Sequence, residues 1–208
     1  MRIVASLSDP ADIEEAVSAA PDLIEFRLDL MEEETGAIRD AMQKARCPRI
    51  LTLRSVEEGG RFAGDPDLWR ETVAFFLPCA EYIDIERRFS GHAPAMAGAG
   101  QKIIASCHLP EMPAVGELEG LAGELRRFGD IPKIVVTPAH HRDVIALLRF
   151  TLESPPPIIT GVMGTSWRWV RGVLPLFGSD LVYCHVGRST SAGQYSVEEF
   201  RRLVGLLQ

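Results

Sequence analysis

Short apolar runs alternate along the chain with longer segments in which apolar residues recur every three or four positions. The short runs predict eight β-strands: RIVASL (2–7), LIEFRLDL (23–30), RILTLRS (49–55), EYIDIE (81–86), KIIASCH (102–108), KIVVTP (133–138), PIITGVM (157–163) and DLVYCHV (180–186). The segments between them predict amphipathic helices, several of which open with Asp-Pro or Pro. The last segment, SVEEFRRLVGLL (196–207), carries a capping-box pattern, with a serine followed three residues later by a glutamate.

This alternation favours an α/β protein built as a (β/α)₈ TIM barrel. Dividing 208 residues among eight strand–helix units gives 26 residues per unit, which is compact but sufficient for such a barrel. The alternative is an open doubly wound sheet, which usually carries a GxGxxG turn after its first strand when it binds a dinucleotide. Here SLSDPADIEE follows the first strand, and no linker divides the chain. We therefore expect residues 1–208 to form a single barrel domain.

Five consecutive strands interrupt their apolar runs with polar residues that share one face, since residues two apart in a strand point the same way. Strands of a parallel barrel are normally apolar throughout, because both faces are covered. Charges inside a barrel must pair with one another or with a ligand. The residues concerned are Glu25, Arg27 and Asp29, then Thr52 and Arg54, Asp84 and Glu86, Ser106 and His108, and Lys133 with Thr137. We expect them to form a polar site inside the barrel.

Lys133 is the residue in this set that suggests a reaction. The simplest alternative places it at a frayed strand start, with its ammonium in water. In a partly dry barrel beside arginines, however, the neutral amine is favoured, because desolvation and like charge both disfavour the ammonium. A neutral amine attacks a carbonyl and forms a Schiff base. His108 on the neighbouring strand is a candidate general acid and base, and Glu58 is a candidate to orient it.

The charge balance indicates the kind of partner. The chain has 29 acidic and 22 basic residues, a net charge of −7, which argues against a nucleic-acid or anionic-membrane surface. Arg27, Arg54 and Arg171 nevertheless suit a carboxylate or a hydroxyl-rich substrate, because guanidinium groups bind such groups through paired hydrogen bonds. A cationic pocket inside an acidic protein points to a small anionic metabolite.

Composition and cysteine spacing bear on the compartment. No segment is long and apolar enough to cross a bilayer, and the opening MRIVASLSDP lacks an apolar signal core, so we expect a cytoplasmic protein. Cys47, Cys79, Cys107 and Cys184 form no CxxC pair, which predicts free thiols and no zinc site.

Eight motifs, in order along the chain, resemble the short form of the type I 3-dehydroquinate dehydratases. They are ASL (5–7), EFRLD (25–29), TLRSVEEGG (52–60), YIDIE (82–86), ASCH (105–108), PKIVVTP (132–138), MGTSWRWVR (163–171) and SAGQYSV (191–197). The resemblance implies a barrel that dehydrates 3-dehydroquinate to 3-dehydroshikimate in the shikimate pathway of aromatic amino acid biosynthesis. It also implies a homodimer that uses no metal and no organic cofactor.

The resemblance further implies roles for ten residues. Lys133 condenses with the substrate ketone, and His108, paired with Glu58, removes the adjacent proton and helps the β-hydroxyl to leave as water. The residues implied to bind the substrate are Ser6, Glu25, Arg27, Arg54, Arg171, Thr190 and Gln194.

Two stretches depart from the family pattern. Trp167 and Val170 replace the usual glycine and serine before Arg171. The lid motif Ser-Ala-Pro-Gly-Gln reads here as TSAGQ, so the lid hydroxyl falls to Thr190, with Ser191 as the alternative.

Two other functions are also consistent with a lysine inside a barrel. One is a class I aldolase acting on a small sugar or keto acid, which would bind phosphate with glycine-rich loops after the seventh and eighth strands. The other is a non-catalytic barrel that binds a shikimate-like acid. Binding alone would require neither Lys133 nor His108, which favours the dehydratase.

Overall fold

The computed structural model describes residues 1–207, which form one barrel of eight parallel strands surrounded by eight α-helices. The strands are β1 (Arg2–Leu7), β2 (Leu23–Arg27), β3 (Arg49–Thr52), β4 (Tyr82–Glu86), β5 (Lys102–His108), β6 (Ile131–Val136), β7 (Ile159–Val162) and β8 (Leu181–His185). The helices are α1 (Ile13–Ser18), α2 (Thr35–Lys44), α3 (Pro66–Phe76), α4 (Ala93–Gly98), α5 (Val115–Leu125), α6 (His141–Glu153), α7 (Arg168–Val173) and α8 (Val197–Leu207). Each helix follows the strand of the same number, which confirms the predicted (β/α)₈ TIM barrel.

The strands are hydrogen bonded in the order β7-β6-β5-β4-β3-β2-β1-β8, and neighbours in this series run parallel. β7 and β8 stand at the two ends of the series, and the seam between them completes the ring. Just before both strands, Asp180 N donates a hydrogen bond to Ile158 O over 2.8 Å. Beside it, Thr160 N donates to Ser179 Oγ over 3.1 Å. These two contacts tie the lower end of the seam.

The strand boundaries differ from the predicted ones where a turn or a proline was misjudged. β6 begins at Ile131, two residues earlier than predicted, and it ends at Val136. The strand tolerates Pro132, which has no N–H, because β7 pairs with β6 only from Lys133 onward and Pro132 lies outside that ladder. β2 ends at Arg27 because the next residues turn, with Leu30 N bonded to Arg27 O over 2.9 Å. β3, β4, β7 and β8 are also shorter than predicted, whereas β1 and β5 match.

Inward-facing side chains fill the barrel, and residues two apart on a strand point into it at successive heights. The lowest layer is apolar and consists of Val4, Leu23, Ile50, Tyr82, Ile104, Ile131, Ile159 and Leu181. Two residues further along every strand, the layer becomes Ser6, Glu25, Thr52, Asp84, Ser106, Lys133, Gly161 and Tyr183. The predicted polar interior is therefore confirmed, and it lies directly above the apolar layer.

Side-chain caps fix where two of the outer helices begin. Asp65 Oδ1 accepts a hydrogen bond from Leu68 N over 2.8 Å at the start of α3. The predicted capping box of α8 is present, because Glu199 N donates to Ser196 Oγ over 3.1 Å and Ser196 N donates to Glu199 Oε2 over 2.8 Å. Within residues 1–207, none of the helices combines the length and apolar character that crossing a membrane requires.

Candidate active site

A cavity of about 160 Å³ lies inside the barrel and reaches the seam between β7 and β8. All ten residues singled out from the sequence line it: Ser6, Glu25, Arg27, Arg54, Glu58, His108, Lys133, Arg171, Thr190 and Gln194. Strands β1, β2, β5 and β6 carry several of these side chains. The segments that follow β3 and β8 carry most of the others, and helix α7 carries Arg171. The barrel therefore brings the whole predicted set to one cavity.

Lys133 is the third residue of β6 and is only 5% exposed, so it does not lie at a frayed strand start. Its Nζ donates a hydrogen bond to Asp84 Oδ2 over 2.9 Å and lies 4.1 Å from the centre of the Tyr183 ring. The sequence interpretation considered only arginines around this lysine, and in that respect it was wrong. The ionic partner is a carboxylate, so the amine must leave Asp84 before it can attack a carbonyl.

Arg54 connects Asp84 to the rest of the polar layer. Its guanidinium donates to Asp84 Oδ1 over 2.8 Å, to Glu86 Oε1 over 3.0 Å and to Ser106 Oγ over 3.0 Å. Burial alone would raise the pKa of the Asp84 carboxyl, but the charges of Arg54 and Lys133 outweigh it and hold that pKa well below its usual range. Asp84 is therefore ionised in the folded protein at any working pH.

Glu58 and His108 form a second pair of titratable groups in the cavity, with His108 Nδ1 2.7 Å from Glu58 Oε2. Arg54 also donates to Glu58 over 3.1 Å, but it shares its charge with the two carboxylates named above. Burial, with help from those carboxylates, raises the pKa of Glu58 from 4.5 to about 8. Burial and the positive charges of Arg54 and Lys133 hold the pKa of His108 well below its ordinary value. At neutral pH the imidazole is uncharged and able to accept a proton.

The loop that carries Glu58 folds tightly over the end of β3. Gly59 has a φ of +83°, and a Cβ placed on Gly60 would come within 2.2 Å of the carbonyl oxygen of Arg54. Only a Gly-Gly pair permits both the left-handed turn and this close approach. The glycines in VEEGG thus bring Glu58 back to the barrel mouth, as its predicted lining role requires.

Glu25 and Arg27 on β2 are held by neighbouring side chains. Ser6 Oγ donates to Glu25 Oε2 over 2.6 Å, and Thr52 Oγ1 donates to Glu25 Oε1 over 2.8 Å. Arg27 forms a paired contact with Asp29, at 2.9 Å and 2.8 Å. Since Ser6 is fully buried and its hydroxyl is bonded to Glu25, it orients that carboxylate.

Arg171 on α7 is a partly buried cation that pairs with no carboxylate among residues 1–207. One of its terminal nitrogens donates to Ala192 O over 3.2 Å, and its buried Nε has no hydrogen-bond partner within that range. Burial lowers the pKa of this guanidinium. The two residues before it that depart from the family pattern anchor this segment. Trp167 Nε1 donates a hydrogen bond to Pro138 O, and Val170 is fully buried. They fix α7 so that Arg171 lines the cavity.

The loop after β8 closes one side of the cavity. Gln194 is 6% exposed, and its amide oxygen accepts hydrogen bonds from Thr190 N over 3.1 Å and Thr190 Oγ1 over 3.0 Å. Gly193 has a φ of +77°, and a Cβ there would lie 2.6 Å from Gly164 O. Ser191 also lines the cavity but is exposed. Of Thr190 and Ser191, it is therefore Thr190 whose hydroxyl is bonded to the lid glutamine, and Ser189 Oγ makes a longer contact of 3.5 Å with the same oxygen.

Comparison with known proteins decides the family. The model for type I 3-dehydroquinase matches residues 5–208. The chain belongs to the type I 3-dehydroquinase family. It is 46% identical over 208 residues to the 3-dehydroquinate dehydratase of Methanoregula boonei, and the match covers 100% of both chains. The dehydratase of Methanospirillum hungatei is 42% identical, with 100% of this chain and 81% of that protein covered.

A solved structure gives the same answer for the fold. The crystal structure of the 3-dehydroquinate dehydratase from Aquifex aeolicus superposes with a TM-score of 0.84 at 28% identity, covering 98% of this chain and 97% of that one. The present chain therefore matches that barrel over nearly the full length of the solved chain.

Several neighbours of the site in this type I 3-dehydroquinase were not assigned a role from the sequence. Asp84, Glu86 and Ser106 stood out as polar residues in apolar strands, but the pattern did not indicate which groups they contact. Tyr183 gave no signal, because an aromatic residue in an apolar strand is typical of a core. His185, at the end of β8, does not line this cavity, and its Nδ1 lies 3.1 Å from Gly187 O.

The thiols nearest the site are not candidates for nucleophiles. Burial raises the pKa of Cys107 to about 11 and that of Cys184 to about 12. Both therefore stay protonated at neutral pH, which leaves Lys133 as the nucleophile that the geometry favours.

Proposed function

We propose that this chain dehydrates 3-dehydroquinate to 3-dehydroshikimate through an imine on Lys133, with His108 as general acid and base. One arrangement carries the proposal. A buried lysine amine and a neutral imidazole on adjacent strands face one cavity, and Arg171, which has no carboxylate partner among residues 1–207, lines the same cavity. The family consists of hydro-lyases, and this reaction removes water from a β-hydroxy ketone. The arrangement supplies a group for each step.

The first step joins the substrate to the chain. The Lys133 amine, released from Asp84 and deprotonated, adds to the ketone carbon, and loss of water from the resulting carbinolamine gives the iminium. The iminium withdraws electrons from the neighbouring carbon, so the proton on that carbon becomes acidic. Asp84 stays beside the nitrogen and balances its positive charge.

The second step eliminates water. His108 takes the proton from the carbon next to the iminium, and the electron pair moves toward the nitrogen. The same imidazole, now protonated, gives its proton to the β-hydroxyl, which leaves as water. Addition of water to the remaining imine then releases the enone acid and regenerates the Lys133 amine. Glu58 orients the ring through Nδ1 during both proton transfers.

The remaining residues hold the substrate in place. Arg171 suits the substrate carboxylate, because a buried cation without an anion gains most from binding one. Arg27 and Arg54 suit the ring hydroxyls, together with Glu25, which Ser6 orients. Gln194 and Thr190 belong to the loop that covers the site, and Arg27 reaches that loop through Thr190 O at 3.5 Å.

The direct test is an absorbance assay for the conjugated enone acid, with 3-dehydroquinate as substrate and the purified chain as catalyst. Accumulation of the enone acid at a rate that scales with protein concentration supports the proposal. No product above the uncatalysed rate, from a folded preparation, would contradict it.

The same assay separates the alternatives. A class I aldolase would release a carbonyl fragment from its substrate and would leave 3-dehydroquinate unchanged. Such enzymes bind phosphate through backbone N–H groups after the seventh and eighth strands. Here two side chains line the cavity after those strands, Arg171 from helix α7 and Gln194 from the loop after β8, which fits a carboxylate better. A non-catalytic binder would protect the chain from unfolding without forming product.

We further propose that residues 1–208 act as one domain, in a homodimer in the cytoplasm. Membership of the family supports the dimer, and four free cysteines fit a reducing compartment. Light scattering should give twice the mass of one chain, and the mass of a single chain would contradict the dimer.

Limited proteolysis that releases a stable fragment would contradict the single domain, and recovery of the native protein with membranes would contradict the location.

A further inference from the structure

Tyr183 on β8 lies in the same barrel layer as Lys133, and its ring faces the reacting nitrogen. The ring centre is 4.1 Å from Lys133 Nζ, well within the distance at which an aromatic face attracts a cation. The same nitrogen donates to Asp84 Oδ2 over 2.9 Å. Two groups therefore interact favourably with a positive charge on Lys133 Nζ, the Asp84 carboxylate and the Tyr183 ring.

The hydroxyl of Tyr183 does not explain why an aromatic residue stands here. Its oxygen is buried and has no hydrogen-bond partner in the part of the chain that the structure describes. Burial, with the nearby carboxylates of Glu25 and Asp84, raises the pKa of this phenol well above its ordinary value, so it stays neutral. A buried hydroxyl without a partner destabilises the fold. The ring must therefore supply the benefit that keeps Tyr183 at this position.

We propose that the face of Tyr183 stabilises the positive charge on the Lys133 nitrogen, and does so more in the iminium than in the ammonium that is paired with Asp84. This inference rests on the proposed imine at Lys133. The proposed role of the ring follows from the loss of N–H donors on the Lys133 nitrogen as the imine forms. An ammonium has three N–H donors and an iminium has one, so the capacity to bond with Asp84 falls as the imine forms. Attraction to an aromatic face needs no N–H, and the ring retains its effect on the intermediate.

Two kinds of substitution separate the ring from the hydroxyl. Tyr183→Phe keeps the aromatic face and removes the unbonded oxygen. Tyr183→Leu and Tyr183→Met remove the aromatic face, and methionine keeps much of the side-chain volume. The measurement is the amount of borohydride-reduced adduct at subsaturating 3-dehydroshikimate, read by intact mass. Thermal unfolding of each variant shows that it is folded.

We expect the leucine and methionine variants to form about three- to thirty-fold less adduct than the parent, the range that a partly desolvated cation–aromatic contact supports. Tyr183→Phe should restore the adduct to within about two-fold of the parent. In a Lys133→Met background, Tyr183→Leu should leave the affinity for 3-dehydroshikimate unchanged, because the ring acts through the charged nitrogen.

The outcomes distinguish this inference from the function on which it rests. If the parent protein forms no adduct, the imine itself is wrong. If the parent forms the adduct and the leucine and methionine variants form as much, the role of the ring is refuted. A loss in Tyr183→Phe equal to that in Tyr183→Leu would assign the effect to the hydroxyl and overturn the proposal. So would a fall in affinity caused by Tyr183→Leu in the Lys133→Met background.

Discussion

Glu58 Oε2 and His108 Nδ1 lie 2.7 Å apart, although 50 residues separate them along the chain. Burial displaces the pKa values of the two groups in opposite directions, raising that of Glu58 to about 8 and lowering that of His108. A carboxyl that holds its proton thus lies beside an imidazole that readily stays neutral, and a proton can lie on either atom. This pair is suited to both taking and returning the proton in a dehydration.

Glu58 makes stability depend on pH in a direction that can be measured. Its pKa in the folded protein is raised from 4.5 to about 8, so the folded state holds this proton more tightly than the unfolded state does. The stabilisation of the folded state that this tighter proton binding provides is fully present below pH 4.5 and is lost as the pH rises toward about 8. Replacing Glu58 by glutamine removes the titration. The melting temperature of Glu58→Gln should therefore fall less than that of the parent between these two pH values. Parallel curves for the two proteins would contradict the assignment.

Arg171 should be required for activity but not for folding. Arg171→Ala removes the cation proposed to bind the substrate carboxylate, and a lost charge-assisted pair of this kind costs about 2–5 kcal/mol in kcat/KM. Arg168→Ala on the same helix is the matched control, because that side chain is 40% exposed and pairs with Glu199 at the surface. Steady-state kinetics should show a large loss for Arg171→Ala and less than about a two-fold change for Arg168→Ala. Equal effects would refute the carboxylate assignment.

The sequence predicted the barrel and ten residues that all line the cavity, because two strong regularities apply. Alternation of apolar runs fixes the fold class, and the two-residue period of a strand places Lys133 and His108 on the inner faces of neighbouring strands. Family motifs then supplied the residues outside the strands, such as Glu58 and Arg171, which the strand period does not place.

The contacts within the layer could not be read in the same way. Which carboxylate meets Lys133 depends on the stagger of β4 against β6, which are separated by a strand, and a sequence does not specify this stagger. Asp84 therefore had no assigned role, and the lysine was placed among arginines instead. Tyr183 was missed for a different reason, since only its distance from Lys133 Nζ distinguishes it from an ordinary core residue.

Gln194 should affect turnover more than imine formation. Its amide oxygen is bonded to Thr190, which leaves the amide N–H groups to reach a bound substrate. Loss of one such hydrogen bond in Gln194→Ala should lower kcat about five- to ten-fold, while the reduced adduct still forms. Ser191→Ala, which changes an exposed hydroxyl, should have a smaller effect than Thr190→Val. A folded Gln194→Ala protein that forms no adduct would contradict this division of roles.

His108 should separate the covalent step from the elimination. His108→Ala keeps the Lys133 amine, so borohydride should still trap an adduct with 3-dehydroquinate. Turnover should fall by at least about 10²–10⁴-fold, because the proton next to the iminium has no positioned base. An active His108→Ala protein would move the base to another residue, and Glu58 is the first candidate.

The most direct measurement of the central claim is the site of borohydride trapping. The parent protein, incubated with 3-dehydroquinate and borohydride, should gain one ligand-derived mass, and peptide mapping should place it on Lys133. Lys133→Ala should lose both the adduct and the activity, because the other groups that line the cavity offer no second amine. An adduct on a different lysine, or an active Lys133→Ala protein, would contradict the mechanism.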